Sequence, residues 1–121
     1  MFVRIPKFVQ RIFPSIIWKN KTHTKQIWLT FDDGPEKNIT EFILSVLKEL
    51  NIKATFFLVG EQIIKFPELT KKILKDGHHI GNHSLSHING FKVNNQKYLY
   101  DVEMGEKLVN EKKVELGAEL K

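Results

Sequence analysis

Apolar runs and amphipathic segments alternate along this chain from residue 26 onward. The runs 27–31 and 54–59 contain no charged residue and are rich in aromatic and β-branched side chains. Runs of this length and composition are typical of strands buried on both faces of a sheet. A shorter strand with its exit loop is predicted at 78–83. Because helical segments separate these strands, the pattern predicts parallel βαβ units and an α/β fold.

The helical segments are marked by apolar residues spaced three and four positions apart. The first has a predicted apolar face made of Ile39, Phe42, Ile43, Val46, Leu47 and Leu50. Asn38 is predicted as its N-cap, and Glu41 three residues later completes the pattern of a capping box. Pro67 fits the first turn of another helix, which Gly77 is predicted to end. A last amphipathic helix is predicted over 96–113.

Residues 1–25 are predicted to form an N-terminal arm and linker, followed by one domain over 26–121. Apolar residues recur in the arm at roughly helical spacing, with basic residues between them: Phe2, Ile5, Val9, Ile12 and Ile16. We expect an arm that packs on the domain, and a segment lying on a membrane surface is the alternative. No run approaches the length of a transmembrane helix, about 20 apolar residues. No secretory signal is recognisable either, which favours the cytoplasm.

The charge of the chain excludes few classes of binding partner. The formal net charge is +5, and 17 of the 19 basic residues are lysine. The lysines are spread over predicted helix surfaces and form no arginine-rich or aromatic-interleaved patch, so no nucleic-acid partner is expected. The sequence contains no cysteine, which excludes disulfides and thiolate metal ligands.

Acidic and imidazole side chains follow two of the predicted strands. Asp32 and Asp33 come directly after the first strand, and His83 and His87 come after the third. Because parallel strands end at one edge of a sheet, these side chains are predicted to lie together. Two histidines and one carboxylate with an open position form a catalytic metal site, and a second carboxylate can then take a proton from water. For the aspartates alone, an ordinary solvated turn is the alternative.

The motifs around these residues resemble those of a known family. Three stretches carry the resemblance: Thr30–Pro35, Ala54–Phe57 with Gly60, and Gly77-His78 followed by Gly81–His87. In this order they resemble the polysaccharide deacetylases, carbohydrate esterase family four, also called the NodB homology domain. The resemblance covers roughly residues 26–110. It implies a distorted (β/α) barrel and the metal-dependent removal of acetyl groups from sugar polymers.

The resemblance also implies a role for each candidate residue. Asp32 is expected to be the general base, and Asp33, His83 and His87 the ligands of one divalent metal ion. Zinc is the expected metal, with cobalt, nickel or another transition metal as alternatives. Asn82 and Thr30 are expected to lie behind the ligands and to orient them. The expected partner is an acetylated amino-sugar or xylan-type carbohydrate, and the residues that bind it are not identified.

The chain departs from the family pattern after its third strand. The family's later motifs, an Arg-x-Pro-Tyr strand, an Asp and Trp segment and a Leu-x-His that supplies the general acid, are not found, and no histidine follows His87. We therefore expect an incomplete barrel of three βα units, truncated at its C-terminal side. The predicted function is hydrolysis of N-acetyl, or alternatively O-acetyl, groups on a carbohydrate. The alternatives are a catalytically dead metal- or sugar-binding remnant, and half of a split enzyme that associates through open barrel edges.

Overall fold

The computed structural model of the protein describes residues 5–18 and 24–119. Its elements, in chain order, are α1 (Lys7–Ile12), β1 (Thr30–Phe31), α2 (Lys37–Glu49), β2 (Thr55–Leu58), α3 (Gly60–Lys65), α4 (Pro67–Lys75), β3 (His79–Asn82), a 3₁₀ turn (Gly90–Lys92) and α5 (Asn95–Glu119). The strands form one parallel sheet in the order β1-β2-β3. The predicted α/β fold with parallel βαβ units is confirmed.

The hydrophobic core lies around the middle strand of this sheet. Every helix after α1 contributes to it, and its buried members are Leu44, Leu47, Ala54, Phe56, Leu58, Ile63, Leu69, Ile73, Ile80 and Val109. The last helix, α5, returns from the 3₁₀ turn to pack against α3, α4 and β3. This packing brings the N-terminal half of α5 against the loop that follows β3.

The two strands predicted to be buried on both faces differ in the structure. β2 is the central strand, and its residues alternate between half-buried and buried, so one of its faces is fully covered and the other only partly. The prediction for 27–31 is wrong, because only Thr30 and Phe31 pair with β2, and the side chains of Ile27 and Trp28 are 93% and 61% exposed. Among the described residues β1 is an edge strand, so one of its sides has no strand to cover it.

The N-terminus of α2 is capped differently from the prediction. Glu36 is the N-cap, and its carboxylate accepts a hydrogen bond from the Ile39 amide at 3.0 Å. Asn38 therefore lies inside the helix, and the predicted capping box with Glu41 is wrong. An acidic cap is favourable here, because it satisfies an amide with no helical partner and faces the positive end of the helix dipole.

The buried face of α2 is also rotated from the predicted one. Thr40, Leu44 and Leu47 are buried, whereas the predicted core residues Ile39 and Phe42 are exposed. The exposed set also includes Leu50. The apolar positions of this helix extend around more of its circumference than a three-stranded sheet covers, and so the pattern alone could not fix the buried side.

The other helices agree more closely with the sequence. Pro67 is the first residue of α4, and Lys75 is its last. Gly77, two residues later, has φ of +80°, a conformation in which the helix cannot continue. α5 extends past the predicted end at 113 to Glu119. No helix within 5–18 or 24–119 has both the length and the hydropathy needed to cross a membrane.

The N-terminal arm does not behave as expected. α1 contains no buried residue, and the side chains of Phe8 and Ile12 are exposed, so the expected packing of this helix on the domain is not found. Phe2, part of the predicted arm periodicity, and 19–23 of the predicted linker lie outside the described residues.

Candidate metal centre

Three predicted ligands converge at the C-terminal edge of the sheet. Asp33 follows β1, while His83 and His87 follow β3, and the parallel arrangement brings both loops to one edge. Asp33 Oδ1 lies 2.9 Å from His83 Nε2 and 3.1 Å from His87 Nε2. The ligand atoms of the three residues lie within 4.8 Å of one another. The structure therefore brings together the three residues that the sequence predicted as a group.

The backbone of both loops is unusual at the ligand positions. Asp33 and His87 have φ of +68° and +55°, and Ser84, between the two histidines, has φ of +64°. This left-handed region is unfavourable for residues other than glycine, so surrounding contacts must hold it in place. Residues in such conformations cluster at functional sites, where the strained backbone holds side chains in the orientation that the function requires.

The donor set fits a divalent transition metal. Imidazole nitrogens and one carboxylate are the ligands of catalytic zinc sites, which keep a further position open. Ligands about 2.0–2.1 Å from a tetrahedral ion lie about 3.3 Å apart, close to the separations seen here. The side chains of His83, His87 and Asp33 are 31%, 60% and 68% exposed, so both water and a large substrate can approach them.

The remaining predicted site residues occupy less direct positions. Asp32 is exposed and directly precedes Asp33 at the end of β1. Thr30 is exposed in β1, where it pairs with Thr55. Asn82 acts on the histidine loop: its Oδ1 accepts a hydrogen bond from the Ser84 amide at 2.9 Å. The roles assigned to these residues stay predictions.

An open cavity of about 580 Å³ lies beside the histidines. Its wall includes His83 and His87 from the loop, Asn89 before the 3₁₀ turn, and Tyr98 and Val102 from α5. A cavity with an imidazole edge, an amide and a phenol offers both polar and apolar contacts to a ligand.

Asp101 is a site residue that the sequence analysis missed. Its side chain is only 6% exposed, and it accepts hydrogen bonds from the Ser86 hydroxyl at 2.6 Å and the Leu85 amide at 2.9 Å. Burial raises the pKa of Asp101, but hydrogen bonds from Ser86, Ser84 and Leu85 outweigh it, and the net pKa is lowered. The sequence feature that could have identified Asp101 is a carboxylate within the predicted helix, three residues after Tyr98 and directly before Val102, both of which were predicted to be apolar positions.

The other histidines next to β3 lie outside the cluster. His78 is buried, and its Nδ1 accepts a hydrogen bond from the Ala54 amide at 3.3 Å. Burial, with a smaller contribution from the positive charge of Lys53, lowers the pKa of His78 and favours its neutral form. His79 is exposed and is not part of the ligand group.

The site and the fold agree with a family assignment. A family model described as polysaccharide deacetylase matches residues 19–115. The chain therefore belongs to the polysaccharide deacetylase family, as its motifs predicted.

Two relatives and one solved structure show how similar this chain is to individual members of the family. A peptidoglycan-N-acetylglucosamine deacetylase of Bacillus cereus is 48% identical over 85 residues, which cover 70% of this chain and 31% of the relative. A chitooligosaccharide deacetylase of Bradyrhizobium is 39% identical over 64 residues, which cover 53% of this chain and 29% of the relative. The solved structure of a peptidoglycan deacetylase from Bacillus subtilis is 34% identical with a TM-score of 0.69, covering 74% of this chain and 45% of that one. The chain thus spans less than half the length of each of these relatives.

Proposed function

We propose that this chain supplies the metal-binding and base-carrying part of a deacetylase that hydrolyses N-acetyl groups on an amino-sugar polymer. The single observation that carries the proposal is the convergence of Asp33, His83 and His87 at one sheet edge in a member of this family. We place this site in the domain 26–121, which we propose to be three βα units of a distorted (β/α) barrel.

Asp33, His83 and His87 would hold one divalent metal, with zinc as the first candidate and cobalt or nickel as alternatives. When bound, the metal polarises the acetyl carbonyl and makes water more acidic. The open side of the cluster faces solvent, so the chain's own residues leave room for the acetyl group and for water.

Asp32 is the proposed general base. It is exposed and adjacent to Asp33, so its carboxylate can accept a proton from water held at the cluster without ligating the metal itself. Asp33 is less suited to act as the base, because its Oδ1 already lies against both histidines. We assign no donor within this chain for the proton that the leaving amine requires.

The proposed substrate is a polymer containing N-acetylglucosamine. The names of the Bacillus cereus and Bradyrhizobium relatives refer to peptidoglycan and to chito-oligosaccharide, and both contain this sugar. The exposure of the three ligands also suits a polymer that lies across the surface. An acetylated xylan, which requires O-deacetylation, is the alternative that the assay must separate.

A chimera tests this proposal. The chain is fused to the C-terminal remainder of the Bacillus cereus relative, and acetate release from N-acetylated chito-oligomers, peptidoglycan and acetylated xylan is measured. Asp32→Asn should keep zinc and lose about 10²–10⁴-fold in turnover, because only the base is removed. Asp33→Asn should weaken zinc binding itself. Equal loss of zinc from both variants contradicts the division of roles, and activity on xylan alone contradicts the substrate.

A second candidate, half of a split enzyme, is favoured by the exposed apolar residues that precede the edge strand. Ile27 and Trp28 precede β1 beside an unpaired strand edge in the described chain, and such edges recruit other chains. On this proposal the 121-residue chain alone self-associates, and its deacetylation of chito-oligomers is near background. Adding the remainder of the relative in trans should then restore turnover. A monomer that turns over substrate alone contradicts it.

A further inference from the structure

The loop between the two histidines cannot hold its shape unaided. Ser84 and His87 both have positive φ, at +64° and +55°, and neither is a glycine. Within the loop, the His87 amide donates to Ser84 Oγ at 3.0 Å. This one local bond spans the loop but does not fix its position relative to the sheet or to Asp33. The contacts that do so must come from outside the loop.

Two of those contacts are backbone bonds, from the Gly60 and Glu61 amides to the Ser84 and Leu85 carbonyls, and the side-chain contacts come from one carboxylate on α5. Asp101 Oδ2 accepts hydrogen bonds from the amides of Leu85 and Ser86 at 2.9 and 3.1 Å, while its Oδ1 accepts the Ser86 hydroxyl at 2.6 Å. The backbone carbonyl of Asp101 also lies 2.9 Å from the Leu85 amide. All three donor groups belong to the segment between the two predicted ligands, directly before His87.

The same helix contacts the loop at two further points. Asn82 Nδ2 donates to the Val102 carbonyl at 2.9 Å, next to Asp101 in sequence. One helical turn later, Gly105 has no side chain, which lets the backbone of α5 approach Asn82 and Ser84 closely. Asp101 thus lies in the middle of a continuous contact between α5 and the histidine loop, and it is the one member of that contact with a formal charge.

We infer that Asp101 is a positioning residue for the metal centre, acting through Leu85 and Ser86 to hold His83 and His87 in ligating positions. The inference rests on the proposed metal-dependent function. The hydrogen bonds that the Asp101 carboxylate accepts come from Leu85 and Ser86, so its effect on the ligands passes through the loop. A carboxylate is suited to this task because it accepts several N–H and O–H bonds at once, and bonds to a charged acceptor are stronger than neutral ones.

The experiment compares three variants of the 121-residue chain. Asp101→Ala removes the carboxylate, Asp101→Asn keeps one carbonyl acceptor, and Val109→Ala is the control, since Val109 is fully buried on the same helix but belongs to the core. Zinc affinity is measured by competition with a chromophoric chelator. Amide hydrogen exchange at Leu85 and Ser86 is measured without metal, and thermal unfolding reports stability.

Asp101→Ala should lower zinc affinity by about 10–100-fold, as loss of an outer partner of a metal ligand does. It should also abolish exchange protection at Ser86, whose amide donates to the carboxylate, and leave part of the protection at Leu85, whose amide also donates to the Asp101 backbone carbonyl. Asp101→Asn should show a smaller loss of both. Val109→Ala should lower the unfolding temperature but change zinc affinity by less than about twofold, because its site is independent of the loop.

Three results would overturn the inference. The first is a folded Asp101→Ala with unchanged zinc affinity, and the second is an equal affinity loss in Val109→Ala, which would indicate general destabilisation. If Asp101→Ala does not fold, the third such result is an unchanged zinc affinity in both Asp101→Asn and Ser86→Ala. If the parent chain binds no zinc, the proposed function fails instead. Retained amide protection at Ser86 in Asp101→Ala would separately show that the Asp101 carboxylate does not hold the loop.

Discussion

Replacing Gly105 by alanine tests how closely α5 must approach the histidine loop. A Cβ at this position would lie 2.4 Å from Asn82 Oδ1, 2.5 Å from the Ser84 carbonyl carbon and 2.7 Å from its oxygen. Neither neighbour is free to retreat. The Ser84 carbonyl accepts a hydrogen bond from the Gly60 amide at 2.9 Å, and Asn82 Oδ1 accepts one from the Ser84 amide at 2.9 Å.

The magnitude follows from opposing contributions. Alanine in a helix interior is favoured over glycine by about 0.8–1 kcal/mol. Overpacking against a fixed backbone costs about 1–3 kcal/mol, and disturbing one of the two hydrogen bonds adds about 1 kcal/mol. The steric cost is larger than the helical gain, so we expect Gly105→Ala to lose about 1–3 kcal/mol in free energy of unfolding.

The matched control is Gly117→Ala in the same helix. A Cβ at Gly117 meets no atom within 4 Å, so only the helical gain applies, reduced because Gly117 lies near the end of the described part of α5. We expect this variant to be more stable than the parent by at most about 1 kcal/mol. Urea unfolding followed by circular dichroism measures both. If Gly105→Ala is as stable as Gly117→Ala, the close approach of α5 to the loop is wrong.

Three further predictions concern the histidines and the strand edge. His83→Ala removes a ligand and should lower zinc affinity by more than the loss of a residue that supports a ligand, which costs about 10–100-fold. His79→Ala should leave zinc affinity unchanged when both are measured by competition with a chromophoric chelator. Because burial lowers the pKa of His78, stability should be complete above about pH 6.5 and fall as pH drops towards that lowered pKa, by at most about 1.4 kcal/mol per pH unit. Urea unfolding of His78→Asn should lack this component, and an identical pH slope would contradict it. Trp28→Lys should reduce self-association of the chain in light scattering, since a lysine blocks strand addition at an edge.

The sheet and the ligand cluster were predictable because their signals are local in sequence. The strand around Thr55–Leu58 is apolar with turn residues after it, and the aspartates and histidines directly follow strands. Once parallel βαβ order is established, the C-terminal ends of the strands must share an edge, so the convergence of Asp33 with His83 follows without any long-range information.

The role of Asp101 and the buried side of α2 were not predictable in this way. Asp101 contacts Ser86, 15 residues earlier, and nothing in the local pattern states which loop a helix carboxylate will meet. In α2, Leu44 is buried and Phe42 exposed because of where the sheet lies, although both are apolar. Burial of a wide apolar face depends on how many neighbouring elements are present to cover it, which periodicity does not report.

The end of β2 explains how two loops far apart in sequence hold one site. The Val59 amide donates to the Gly34 carbonyl in the aspartate loop, and the next amide, of Gly60, donates to the Ser84 carbonyl in the histidine loop, both at 2.9 Å. Consecutive amides directly after the middle strand therefore fix the separation of Asp33 from the histidines. A Cβ at Gly60 would lie 2.9 Å from Leu85 Cδ1 and 3.2 Å from its Cα, so a side chain there would have to displace Leu85, which follows Ser84 in the histidine loop. The ligand geometry is thus set by a buried strand end and by α5, while the ligands themselves stay open to substrate.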